Sequence, residues 1–151
     1  MRLTSSVFRS DGWIPARFTC DGANVSPPLA WSDPPPGARS FALVCADPDA
    51  PRGVWYHWAI YDLSPNLRIL SENWSTTSPT PPQAMNDFRR SGYGGPCPPR
   101  GDRPHRYQFR LYALNVERLG LGRSAHCREV EAAAKAHAIA VAELTGLYGR
   151  A

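Results

Sequence analysis

All sixteen prolines of this chain fall between Pro15 and Pro104, and the last 47 residues contain none. They come in clusters: Pro27-Pro28, Pro34-Pro35-Pro36, Pro48 and Pro51, Pro81-Pro82, and Pro96 with Pro98-Pro99. Each one removes an amide donor and its ring clashes with the preceding helical turn, so no long helix fits among them. The first hundred residues therefore read as short strands joined by proline-rich loops. With 151 residues, 42% hydrophobic and 20% charged, the chain has apolar material for one sizeable core and is too apolar for disorder. A single domain over residues 1–151 follows.

Periodicity places the elements. Ser40 to Ala46 (SFALVCA) is a continuous apolar run of the kind that forms a buried strand. Trp55 to Asp62 (WYHWAIYD) puts Trp55, His57, Ala59 and Tyr61 on one face and Tyr56, Trp58 and Ile60 on the other, which predicts a central strand covered on both sides. His105 to Val116 alternates His105, Tyr107, Phe109, Leu111 and Ala113 against Arg106, Gln108 and Arg110, one face core and the other wet at its start. Ser124 to His137 has strong helix formers, with Val130, Ala133, Ala134 and His137 on one side. Ala138 to Tyr148 either extends that helix or forms a strand. The clustered β-branched residues and Gly146 favour the strand. The fold class is mostly β with a helix near the C-terminus.

The formal charge of +4 is unevenly spread: Arg89 to Arg110 holds six arginines against Asp102 alone, so this window carries +5 and the rest of the chain −1. An anionic partner near this segment is one reading, and solvated arginines on a loop and a strand face are the other. Nucleic acid is not expected, since there is no lysine-rich run, zinc-finger spacing or aromatic pair in a basic strand. The four cysteines, Cys20, Cys45, Cys97 and Cys127, show no C-x-x-C pattern, which removes zinc-ribbon, thioredoxin-type and haem-attachment readings. Met1 to Ile14 has no apolar segment of a secretory leader, and no run approaches the roughly 20 residues of a membrane span. The expectation is a cytoplasmic protein without a membrane span, and hence four free thiols, a Cys20–Cys97 disulfide being disfavoured by reducing surroundings.

Two histidines, His57 and His105, stand on predicted strands just after proline-rich loops, Asp47 to Pro51 and Gly92 to Pro99 respectively. Each is either a satisfied core histidine or part of a pocket where loops feed strands. Imidazole N–H groups and the amides of a Gly-Gly turn suit a phosphoryl oxygen or a carboxylate, and Asp47 or Asp49 could hold an imidazole in one tautomer. Tyr107, two residues from His105 on the same strand face, adds a phenol donor. Asx-turn capping beside proline is the alternative role for the two aspartates.

Asp47-Pro48-Asp49-Ala50-Pro51, then Trp55-Tyr56-His57-Trp58, Gly94-Gly95-Pro96-Cys97-Pro98-Pro99 and His105-Arg106-Tyr107 resemble the paired signature segments of the phosphatidylethanolamine-binding protein family, also called Raf-kinase-inhibitor-like proteins. Cys20 to Trp31 resembles the N-terminal segment of the family, and Ala142 to Tyr148 the ending of its short bacterial branch. The resemblance implies a large antiparallel sheet flanked by a smaller sheet and one or two peripheral helices. It also implies a small pocket that binds phosphate, a phosphoryl headgroup such as phosphoethanolamine, or a carboxylate. Carried over residue by residue, the ligand-binding positions are Asp47, His57, Gly95, His105 and Tyr107, with Asp49, Trp55 and Pro96 nearby. The tyrosine that closes this pocket in eukaryotic members aligns best with Ala140, which predicts a more open rim and a homodimer as one way of covering it.

The leading expectation is a non-enzymatic small-anion-binding protein with no cofactor, with a kinase or a protease as its protein partner, since eukaryotic relatives bind kinases or regulate signalling. One alternative is a metal- or acid/base-dependent hydrolase using His57, His105 and Asp47, although the H-x-x-x-H or H-E-x-x-H spacing of a sharp metal motif is missing. Another is an inhibitor that contacts a protein partner independently of the pocket. With sixteen X-Pro bonds, about one cis bond is expected, and Asp47 to Pro51 or Pro96 to Pro99 are the places for it.

Overall fold

The computed structural model describes all 151 residues, Met1–Ala151. Five strands form the main sheet: β2 (Gly12–Trp13), β4 (Ser40–Asp47), β5 (Trp55–Leu63), β7 (His105–Leu114) and β8 (Ala138–Tyr148), in the order β2-β8-β7-β4-β5. A smaller sheet, β1 (Arg2–Thr4), β3 (Leu29–Ser32) and β6 (Ile69–Leu70), pairs antiparallel in the order β1-β3-β6. The large sheet is mixed rather than wholly antiparallel, because the short edge strand β2 runs parallel to Gly146 and Leu147 of β8. One α-helix, α1 (Cys127–His137), and a 3-10 turn at Ala16–Phe18 complete the elements.

The β4 strand is buried at all eight positions, as its unbroken apolar run requires. Phe41, Leu43 and Cys45 face the small sheet, where they pack with Trp31, Trp58 and Phe109 in the larger core. Ala42, Val44 and Ala46 face the other way, and these smaller side chains let α1 approach through Cys127, Val130 and Ala134. Those helix residues recur at helical spacing with Glu131 beside them, whereas His137, expected on the buried side, is exposed at the last turn. The helix begins at a capping box between His126 and Glu129 and passes straight into β8, confirming Ala138 to Tyr148 as a strand.

Trp55 to Leu63 forms a strand buried along most of its length, yet it is the edge of the sheet and not its centre. Its outer backbone is covered by the segment 82–94. Ala84 and Asp87 donate to the carbonyls of Ala59 (2.9 Å) and Tyr56 (3.0 Å), Gly94 donates to that of His57 (2.9 Å), and Tyr61 donates to Pro82 O (3.1 Å). A covered edge has the same two-sided burial as a central strand, which is why the sequence pattern does not separate them. Strict alternation also breaks here. Cys45 pairs with Trp58 but Ala46 pairs with Tyr56, so His57 is the extra residue of a β-bulge and Tyr56 turns to the helix side.

Two loop expectations are corrected. Cys20 and Cys97 are joined in a disulfide, 77 residues apart, leaving Cys45 and Cys127 as buried free thiols. The one cis peptide bond is Thr80–Pro81, outside both expected segments. No helix is long and apolar enough to cross a membrane.

Candidate functional site

The end of β4 and the starts of β5 and β7 lie side by side, since Asp47 pairs with Trp55 and Ala46 pairs with both Tyr56 and Gln108. This register brings Asp47, Trp55, His57, His105 and Tyr107 around one cavity of about 220 Å³. Ala50 and Pro51 wall it from the β4–β5 loop, Cys97, Pro98 and Pro99 from the disulfide-bonded loop, and Phe88 from the segment that covers β5.

His105 is held from both sides. Its Nδ1 lies 2.7 Å from Asp47 Oδ2 and its Nε2 3.1 Å from Asp102 Oδ2. Burial lowers the imidazole pKa, but the hydrogen bonds and charges of the two aspartates outweigh it and the net shift is upward. With a carboxylate on each nitrogen, both N–H groups are donated within the protein. Asp47 also accepts the Asp49 amide at 2.7 Å, so the Asx-turn role and the histidine-holding role coexist in one side chain.

His57 is the opposite case. Nδ1 lies 2.6 Å from the Gly94 carbonyl and must carry the hydrogen, because a carbonyl only accepts. The ring is nearly fully buried, and that burial pulls its pKa below the ordinary histidine value despite the Gly94 bond and the Asp47 charge. The neutral ring then presents Nε2 as a bare acceptor. Tyr107 meets His57 edge to face at 5.2 Å, and burial drives its pKa far up, so the phenol keeps its proton.

Three candidate residues stand outside the cavity wall. Asp49 turns outward, accepting from the Arg106 amide (2.9 Å), Nε (3.0 Å) and Nη2 (2.8 Å), and this guanidinium holds its carboxyl below the usual range. The Gly95 amide donates to Asn24 Oδ1 at 2.8 Å and the Gly94 amide to His57 O, so neither glycine amide is free for a ligand. Pro96 is buried and accepts the Cys20 amide at 3.0 Å. Gly95 serves packing instead: a Cβ there would sit 2.3 Å from the Phe18 carbonyl. Ala140 lies far along β8, opposite Ala113, while the residue paired with His105 is Tyr148, whose hydroxyl donates to Asp21.

Sequence reasoning missed Phe88, and it missed Asp102 as the second partner of His105. The i,i+3 spacing of Asp102 and His105 was a signal for the latter; Phe88 had none, being placed by the bonding of a distant loop to β5. Neither at the cavity nor elsewhere does a group of three or more His, Cys, Asp or Glu side chains converge as a metal centre would require. Of the arginine-rich window, Arg106 is paired with Asp49, and Arg89, Arg90, Arg100 and Arg103 are exposed.

The fold is a two-sheet β protein with one peripheral helix, and at the strand ends it encloses a small cavity lined by two histidines and a tyrosine. The family model described as Phosphatidylethanolamine-binding protein matches residues 4–149, and the chain belongs to that family. It is 46% identical to a UPF0098 protein of Methanothermobacter thermautotrophicus, covering 99% of both chains, and 43% identical to one of Aquifex aeolicus, covering 99% of this chain and 89% of that one. Among solved structures it resembles Escherichia coli YbcL, described as a new member of the mammalian PEBP family, with a TM-score of 0.93 and 34% identity over 99% of this chain and 98% of that one. A phosphatidylethanolamine-binding protein homologue from Chlamydia trachomatis gives a TM-score of 0.88 at 38% identity, covering 99% of this chain and 97% of that one.

Proposed function

We propose that this chain is a binding protein whose cavity takes a small phosphoryl or carboxylate anion together with one proton. The observation that carries this reading is the pair of polar atoms left without a protein partner at the cavity floor, the Tyr107 hydroxyl and His57 Nε2, on side chains only 1% and 3% exposed. Neither atom is sealed inside protein, so each is open at the cavity to a ligand or to water. Tyr107 donates to an oxyanion as it stands. His57 Nε2 repels one while neutral and donates to one once protonated, and no arginine lines the cavity to supply charge instead. Anion binding therefore draws a proton onto His57. His105, with both nitrogens tied to carboxylates, orients Asp47 and is not free for acid/base chemistry, which favours a binding site over a hydrolase.

The test is calorimetric titration of acetate and of phosphoethanolamine into wild type, His57→Asn and Tyr107→Phe between pH 6 and pH 8. Acetate stays fully ionised over this range. Its affinity should fall about tenfold per pH unit above the His57 pKa, with an enthalpy that depends on the buffer as proton uptake demands. Binding should vanish in His57→Asn and weaken about tenfold or more in Tyr107→Phe, the weight of a hydrogen bond to a charged group. Affinity that is independent of pH, or unchanged in His57→Asn, would refute the reading.

A further inference from the structure

The upper part of the cavity is chemically unlike its floor. A volume of about 220 Å³ holds roughly seven waters at the share of about 30 Å³ each has in the liquid, more than a five-atom oxyanion fills. Above the polar floor the wall is apolar, made of Pro51, Trp55, Phe88, Pro98 and Pro99. An inorganic ion seated on Tyr107 and His57 would leave this collar wet.

Phe88 is the unusual member. It is 38% exposed, yet its position is tightly built. Asn86 Oδ1 accepts the amides of Phe88 (2.9 Å) and Arg90 (3.2 Å), and Asn86 Nδ2 donates to the Gly92 carbonyl (2.9 Å). Arg89 closes the turn in the left-handed region at φ 65°. The ring lies on Gly94, where an added Cβ would come within 2.5 Å of it, and it meets Trp55 and His57 edge to face at 5.3 Å each. A half-exposed aromatic ring fixed by three side-chain hydrogen bonds, a strained residue and a glycine seat is organised for contact with something other than the protein itself.

Building on the anion reading above, we propose that Phe88, with Trp55, is the specificity determinant of the cavity, and that the ligand is an oxyanion carried on an aromatic ring. The oxyanion sits on Tyr107 and His57, and the ring fills the collar against Phe88, Trp55 and the proline wall. An aryl phosphomonoester and an aryl carboxylate share this chemistry. The size of the cavity, below the 300 Å³ or more of sites for drug-sized ligands, limits the aryl group to about one ring.

Titration of matched pairs tests this: benzoate against acetate and phenyl phosphate against inorganic phosphate, in wild type and in Phe88→Ala at pH 6. The expected result is an advantage of about tenfold for each aryl ligand, the size of one good aromatic contact. Phe88→Ala should remove most of that advantage, read within the variant itself as the ratio of benzoate to acetate affinity and of phenyl phosphate to phosphate affinity. Because Phe88 is surface-exposed, the variant retains its core, which denaturation midpoints check. Acetate binding without any benzoate advantage would overturn the aryl assignment alone, and an aryl advantage that persists in Phe88→Ala would overturn the role of Phe88. No binding of any of the four anions would overturn the anion reading and this inference with it.

Discussion

Replacing both Cys20 and Cys97 by alanine removes a cross-link between residues 77 apart, and the structure fixes what that should cost. In the chain-entropy account a closed loop of this length constrains the unfolded chain by about 4.5 kcal/mol at 25 °C. The native loops have little reason to move, because Cys20 N still donates to Pro96 O (3.0 Å), Gly95 N to Asn24 Oδ1 (2.8 Å) and the Tyr93 hydroxyl to Phe18 O (2.6 Å). The loss should therefore fall on the unfolded side, with an unchanged native spectrum and a urea m-value that rises as the denatured chain expands. At roughly 2–4 °C per kcal/mol for a domain of this size, the midpoint should drop by about 9–18 °C. Thermal and urea denaturation of wild type, reduced wild type and the double variant would measure it. Both cysteines are exposed, so a dithiol reductant should reach the bond in the folded protein and bring wild type down to the variant. Thiol counting in denatured, unreduced protein should give two, Cys45 and Cys127. Four thiols, or a midpoint within about 2 °C of wild type, would refute the cross-link and its assigned weight.

Glu131 is the polar tie between helix and sheet: its buried carboxylate accepts from Tyr56 (2.7 Å) and Tyr112 (2.9 Å). Glu131→Ala leaves two buried hydroxyls unpaired and should cost about 2–4 kcal/mol by urea denaturation, with Glu131→Gln intermediate because the amide oxygen keeps one acceptor. A loss below about 1 kcal/mol in the alanine variant would show that water or repacking satisfies both tyrosines.

What the sequence made legible divides along local and long-range lines. The alternation from His105 onward and the apolar run at Ser40 are properties of single segments, and they became β7 with the expected core face and β4 as a fully buried strand. The segment motifs of the family carried Asp47, His57, His105 and Tyr107 to one cavity because each sits at a strand end, where a motif and its position coincide. The edge position of β5 was not legible, since segment 82–94 gives it the burial of a central strand. Nor was the bulge at His57, an irregularity of pairing with β4 that leaves no mark on composition. The Gly-Gly turn reads as an anion cradle in sequence, but its amides are used by His57 and Asn24, partners 37 and 71 residues away. The disulfide was misjudged for a different reason: the expectation came from an assumed compartment, while the two loops meet whatever the surroundings.

The two cavity histidines should be separable by pH, because burial acts on both and only His105 has carboxylates hydrogen-bonded to its ring to outweigh it. His105 is raised above the ordinary value of about 6.5, so its charged form stabilises the fold fully below that pH, and the contribution is lost as pH rises through the folded pKa. His57 is lowered, so the unfolded chain binds its proton first; its contribution is present above about 6.5 and is lost as pH falls through the folded pKa. The two effects have opposite slopes, and stability from this pair should peak near neutrality. Proton NMR of the imidazole Cε1 signals, assigned with His57→Asn and His105→Asn, would read each one directly. The expected order is His105 titrating above 6.5 and His57 below it, with His57 moving upward when acetate is added and His105 scarcely moving. The reverse order would mean that the double carboxylate clamp on His105 does not hold in solution, and a His57 signal insensitive to acetate would mean that its Nε2 does not meet the anion.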